Sequence, residues 1–126
     1  MEEIKKEYWP NGQIEREVYL LNYKLHREDG PAYIRYYENG KISTEVYYIN
    51  SEFHREDGPA WIHYFDNGEI EREEYYQNNK THRENGPAVI YYYSNGEIEE
   101  EIYYINGEEI TDEFRIFVIQ GLGMKK

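Results

Sequence analysis

The feature that most constrains this chain is a 28-residue repeat. Asn-Gly occurs at Asn11-Gly12, Asn39-Gly40, Asn67-Gly68 and Asn95-Gly96. A second turn signal keeps the same spacing at Asn22, Asn50, Asn78 and Asn106. So does a third element, HREDGPA at 26–32 and 54–60 and HRENGPA at 82–88. Self-similarity at such a period means one supersecondary unit stacked on copies of itself, because a single unit cannot bury its own apolar face.

Each unit reads as a β-hairpin. β-formers fill 32–37, 60–65 and 88–93. Asn-Gly follows, the strongest short hairpin signal, since both central residues of a type I′ turn need positive φ. Returning strands are predicted at 14–20, 42–49, 70–77 and 98–105. The run 4–9 is an incomplete first strand, with Pro10 where the other units have Glu38, Asp66 or Ser94. The predicted fold class is all-β: an elongated antiparallel meander of hairpin repeats closed by a short C-terminal helix. The repeat domain is assigned to 1–110 and the helical cap and tail to 111–126.

Alternation assigns the faces of the first strands. Ala32, Ile34 and Tyr36 recur unchanged as Ala60, Ile62 and Tyr64 and as Ala88, Ile90 and Tyr92, so they mark the core face. The opposite face varies but stays aromatic: Tyr33, Arg35, Tyr37; Trp61, His63, Phe65; Val89, Tyr91, Tyr93. That is a candidate recognition surface, or a face that connectors cover and cross-strand aromatic pairs stabilise. The second strands mix parities, with Ile14, Ile42, Ile70 and Ile98 on one and Glu17, Glu45, Glu73 and Glu101 on the other. A bulge after the isoleucine reconciles them.

The tail ITDEFRIFVIQGLGMKK replaces a fourth connector. Thr111 can cap a helix over about 112–120, with Asp112 and Glu113 in its first turn, Phe114, Phe117 and Val118 on one face and Gly121 at its end. Lys125 and Lys126 follow. A final strand is the alternative.

HREDGPA looks like chemistry three times over. The alternative is a joint. Asp-Gly or Asn-Gly supplies a turn with positive φ, and Pro31, Pro59 and Pro87 open the next strand where a missing amide is tolerated. Asp29 and Asp57 exchange with Asn85, which suits a turn residue and not a metal ligand or general base. Two strands per unit at ~4.8 Å put His26, His54 and His82 about 10 Å apart, too far to share a zinc ion bound at ~2.0–2.1 Å. A structural network is therefore expected: His26, Arg27, Asp29 and Gly30, with His54, Arg55, Asp57, Gly58 and His82, Arg83, Asn85, Gly86, pin the connector. The expected partner of each arginine or histidine is a strand glutamate in a charge-assisted pair. No serine recurs beside a histidine, and no glycine-rich phosphate loop is present. The chain is read as non-enzymatic, with no metal and no cofactor.

Charge narrows the partners. The net charge is -12 over 126 residues, yet aromatics reach 17%, with sixteen tyrosines, which separates the chain from acidic disordered segments. Acidity argues against direct binding to nucleic acid or anionic lipid, both polyanions, and favours a basic protein surface. No lysine or arginine lies between Arg83 and Arg115, a span with Glu84, Glu97, Glu99, Glu100, Glu101, Glu108, Glu109, Asp112 and Glu113. It is a solvated acidic face or a docking surface for a basic protein. No cysteine is present. With no apolar leader and no run near the ~18 residues of a membrane span, a cytoplasmic location is expected, in a bacterium or a virus-infected host cell.

The unit YYENGKISTEVYYIN followed by HREDGPA resembles the MORN-like repeats of bacterial, phage and giant-virus proteins, one branch of which is named as a YwqK-type antitoxin family. The resemblance covers about 4–110 and implies successive hairpins in one elongated sheet, with mostly non-catalytic binding roles. The leading expectation is a protein-binding module that neutralises or inhibits a basic partner, as an antitoxin, a phage-type inhibitor or a nucleic-acid mimic does. Two rivals stay open: a structural repeat that assembles with itself, as a homodimer or more, through edge strands, and a binder of a small aromatic or nucleotide ligand.

Overall fold

The computed structural model describes residues 1–124. Among the described residues, fourteen strands and one helix follow the repeat. In chain order they are β1 (Glu2–Tyr8), β2 (Ile14–Leu21), β3 (Lys24–Leu25), β4 (Tyr33–Tyr36), β5 (Ile42–Val46), β6 (Tyr48–Ile49), β7 (Glu52–Phe53), β8 (Trp61–Tyr64), β9 (Ile70–Glu74), β10 (Tyr76–Gln77), β11 (Lys80–Thr81), β12 (Val89–Tyr92), β13 (Ile98–Ile105), β14 (Glu108–Ile110) and α1 (Glu113–Met124). The main sheet is an antiparallel meander in the order β1-β2-β4-β5-β8-β9-β12-β13-β14, with β3 added to β2. The short pairs β6-β7 and β10-β11 form separate ribbons. In the two middle units the predicted second strand is therefore broken, at Tyr47 and at Tyr75, where the chain leaves the main sheet.

The two turn types stand opposite to expectation. At the Asn-Gly sites only the glycine has positive φ, near +90°. Gly40 N–H donates to the Tyr37 carbonyl at 3.0 Å, Tyr37 N–H donates to Lys41 O at 2.8 Å, and Asn39 Oδ1 accepts from Lys41 N at 2.9 Å. This is a three-residue loop with glycine at the left-handed position. The type I′ signature, two consecutive positive φ values, belongs instead to Asn22-Tyr23, Asn50-Ser51, Asn78-Asn79 and Asn106-Gly107. Asparagine tolerates that region better than other residues with a side chain, which accounts for its recurrence there.

The bulge is present in every unit. Tyr36 pairs with Ile42 and Arg35 with Thr44, so Ser43 is the extra residue; Glu15, Glu71 and Glu99 hold that place elsewhere. One inserted residue reverses the parity, so Ile42 opposite Tyr36 and Glu45 opposite Ile34 share a face. The core is thin and runs along that face. Ala32, Ala60 and Ala88 are fully buried, and Ile34, Ile62 and Ile90 nearly so. Val46 and Val89 are buried on the opposite side.

The helix forms, but not as expected. Its cap is Asp112, whose carboxylate accepts from Arg115 N at 3.0 Å; Thr111 is not the cap. It continues through Gly121 to Met124, and Lys125 and Lys126 lie outside the described residues. Its packed face is Ile116 and Ile119, against Tyr103, Ile105 and Ile110. Phe114 and Phe117 are 74% and 70% exposed and take no part in that cluster.

Candidate interaction surfaces

The joints set which surfaces remain free. Each connector arginine lies flat on a strand tyrosine: Arg27 on Tyr19, Arg55 on Tyr47 and Arg83 on Tyr75, each 4.0 Å from the ring centroid. Its Nη1 donates to the carbonyl of Pro31, Pro59 or Pro87 at 3.1–3.2 Å. The glycine forms the other wall. A Cβ on Gly30, Gly58 or Gly86 would meet the arginine Cζ at 3.0, 2.9 or 3.2 Å. None of these glycines has positive φ, contrary to the turn reading. Glycine is required here because the guanidinium occupies the space of a side chain.

The expected pairing of arginine with a strand glutamate is not what forms. Glu17, Glu45 and Glu73 instead accept from Tyr36, Tyr64 and Tyr92 hydroxyls at 2.5 Å. Burial, then the neighbouring glutamate, holds these tyrosines in the protonated form well beyond the usual range. The connector acids are peripheral: Arg27 Nε reaches Asp29 at 3.1 Å and Arg55 Nε reaches Asp57 at 3.5 Å, with both carboxylates about nine-tenths exposed. That explains the tolerance for Asn85. His26 and His82 accept at Nδ1 from the backbone N–H of Asn50 and Asn106, at 3.1 and 2.9 Å, tying the first and third connectors to the next type I′ turn. Sequence reasoning missed Tyr19, Tyr47 and Tyr75 as the arginines' seats; their shared period with Arg27, Arg55 and Arg83 was the available signal.

The aromatic face is largely engaged with itself. Tyr33, Tyr37, Trp61, His63, Phe65 and Tyr91 are half-buried, while Arg35 and Tyr93 are exposed. Trp61 stacks on His63, whose edge meets Tyr37. Arg72 lies 4.4 Å from the Trp61 centroid and 5.5 Å from that of Tyr91, and Arg35 lies 5.9 Å from Trp9. Thr44 Oγ1 is 2.9 Å from His63 Nδ1, and Tyr37 OH donates to Tyr64 O. The row is a cation-π and hydrogen-bonded ladder across neighbouring units.

The acidic end is free. Glu97, Glu99, Glu100, Glu101, Glu108 and Glu109 are all exposed, and none makes an ion pair among the described residues. Earlier units differ: Glu7 and Glu15 meet Arg16, Glu71 faces His63, and Glu74 meets Arg72. The last-unit acids do not share one face. Glu100 is opposite Tyr91 and Glu101 opposite Ile90, so they point to both sides of the terminal strand. Among the described residues no group of three or more histidines and acids is placed to hold a metal, and no helix is long and apolar enough to cross a membrane.

A family model described as the MORN repeat variant matches residues 4–22, 32–50, 60–78 and 88–106, more than half of the chain. The chain belongs to the MORN repeat variant family. Each match starts with the first strand and ends at the type I′ asparagine, so the HREDGP portion of the joint lies between matches. Four matches in register with the four hairpins identify the protein as a repeat module. No curated protein and no solved structure matches the chain.

Proposed function

We propose that the chain is a non-catalytic binding module whose docking element is its acidic end, the strands β13 and β14, and that its partner is a protein with a basic surface. The observation that carries this reading is the contrast between units. In the earlier units Glu7, Glu15, Glu17, Glu45, Glu71, Glu73 and Glu74 have tyrosine, arginine or histidine partners, whereas among the described residues Glu97, Glu99, Glu100, Glu101, Glu108 and Glu109 have none and are exposed. Unpaired carboxylates of one sign raise the local potential and steer a cationic surface toward them. A partner whose basic site is occupied in this way is neutralised, as by an antitoxin or an inhibitor. Rows of carboxylates standing in for phosphates make a nucleic-acid-binding protein one such partner. The aromatic ladder supports the surface by holding the repeats in register, since Tyr37, His63 and Trp61 contact one another and Arg72 links Trp61 to Tyr91.

The test uses two baits in a lysate of the native host: the wild-type chain and the Glu99→Gln/Glu100→Gln/Glu101→Gln variant. The expected result is a basic protein captured by the wild type, weakened by the variant and weakened again as salt rises, because exposed charges are screened beyond ~10 Å at 0.1 M. Equal capture by both baits at both salt concentrations refutes the reading.

A further inference from the structure

The two ends of the sheet are each other's missing neighbour. At every internal junction the outgoing strand of one unit pairs with the incoming strand of the next over three residues. Between β9 and β12 these are Glu74 with Val89, Glu73 with Ile90 and Arg72 with Tyr91. Between β2 and β4, and between β5 and β8, the same positions pair. A tyrosine hydroxyl then crosses the junction to a glutamate: Tyr36 to Glu17, Tyr64 to Glu45, Tyr92 to Glu73. The next members of that series are Glu101 on β13 and Tyr8 on β1.

Both are vacant. Tyr8 is 59% exposed, and Glu101 is exposed. Among the described residues β1 has only β2 beside it. β13 is paired on its outer side only at Tyr103–Ile105, by β14, which leaves the backbone edge of 98–102 open. Helix α1 packs on Tyr103, Ile105 and Ile110, and among the described residues 98–101 stay exposed. The turn end repeats the pattern. Tyr37 OH donates across its junction to Tyr64 O, and Tyr93, the counterpart of Tyr37, is 51% exposed.

The departures from the repeat are complementary in charge. Where internal incoming strands carry Ile34, Ile62 and Ile90, β1 carries Lys6. In the junction register Lys6 falls opposite Glu101, and Lys5 falls opposite Ile102 and diagonal to Glu100. Both lysines are exposed and make no ion pair among the described residues. One opposition is unfavourable, Glu7 with Glu100, but Glu7 is already held by Arg16 at 2.5 Å. Opposite charges directly across a strand pair favour one register and like charges oppose others.

We infer that β1 of one copy adds to β13 of a second copy, head to tail, with Lys6 and Tyr8 of the first on Glu101 of the second. This names an occupant for the acidic end, the Lys5-Lys6 pair on the chain's own N-terminal strand, which also carries Glu2, Glu3 and Glu7, and so rests on the reading of that end as a docking surface. Such a contact joins two different patches, so each copy keeps one free end and growth is open.

The test is sedimentation equilibrium over a wide concentration range at low salt. The wild type is expected to gain mass with concentration. Lys6→Glu and Glu101→Lys, both at exposed positions, are each expected to remain monomeric. The double variant Lys6→Glu/Glu101→Lys, with the pair reversed, is expected to recover association. A wild type that stays monomeric throughout overturns the inference. So does association that survives either single change, or that fails to return in the double variant, and so does its loss on Phe114→Ser/Phe117→Ser, which places the contact on the helix. Lys6→Glu leaves the acidic end intact. If self-association fails while that variant still captures a basic protein from lysate, the docking surface stands and only its occupant changes.

Discussion

Replacing Gly58 by alanine is expected to destabilise the fold, and to do so only through Arg55. The new Cβ would sit 2.9 Å from Arg55 Cζ and 3.1 Å from Nε. The guanidinium cannot recede, because the Tyr47 ring lies 4.0 Å behind it. It must swing out, losing the ring and the bond from Nη1 to Pro59 O. A hydrogen bond from a charged donor contributes about 1.5–3 kcal/mol, and a partly exposed cation-π contact about 0.5–1 kcal/mol. Alanine restores about 0.4–1 kcal/mol by restricting the unfolded chain, since Gly58 needs no positive φ. The expected net loss is about 1–3 kcal/mol, read by equilibrium urea unfolding followed by circular dichroism. In an Arg55→Ala background the clash is absent, and Gly58→Ala should become neutral or mildly stabilising. The coupling, about 2–4 kcal/mol from the lost hydrogen bond and ring contact together, is the quantity that decides. If Gly58→Ala costs the same with and without Arg55, the glycine is serving the backbone, and the account of the joint is wrong. Gly86, whose nearest contact is 3.2 Å, should tolerate alanine better than Gly58.

Asp57→Asn should change stability by no more than about 0.5 kcal/mol in the same assay, because its carboxylate is 91% exposed and exposed ion pairs contribute little. Ile119→Ala should cost about 2–4 kcal/mol and lower the thermal midpoint, whereas Phe117→Ala, at a 70% exposed site, should leave it unchanged. Raising the pH should destabilise the protein above pH 10.0, the ordinary tyrosine value. Tyr36, Tyr64 and Tyr92 have raised pKa values in the fold, so their contribution is complete below 10.0 and is lost as pH rises through the folded values. Thermal unfolding across pH 8 to 12 checks this, and Tyr64→Phe should flatten the alkaline decline.

The order of the strands was legible because it is local. Asn-Gly and asparagine turns join neighbours in sequence, and a meander asks nothing more. The core face was legible for the same reason: Ala32, Ile34 and Tyr36 alternate within one strand, and alternation needs no knowledge of what packs on it. Three features were not legible. The exchange of turn types depends on hydrogen bonds between loop and strand ends, which the dipeptides do not encode. Glu45 had two partners of suitable chemistry, Arg55 and Tyr64, and only the geometry of the junction assigns it to the tyrosine. The helix face was misread because Phe114, Ile116, Phe117, Val118 and Ile119 are all apolar, and only the position of Tyr103 and Ile110 shows that Ile116 and Ile119 are the ones covered.

What the sequence determined by itself is the unit, its period, its hairpin form and the concentration of acid in the last copy. These follow from local backbone preference and from counting charge. What only the tertiary structure decided is the meaning of the joint. Gly58 is close to Tyr47 only after the connector has folded back over the sheet, and the guanidinium between them is what makes the glycine necessary. Contacts across a junction are distant in sequence and chosen by packing, so the residues that bond there cannot be read from their spacing alone. The same reason leaves Tyr8 and Glu101 unremarkable in the sequence; they become a pair of vacancies only when the junctions between them are seen filled.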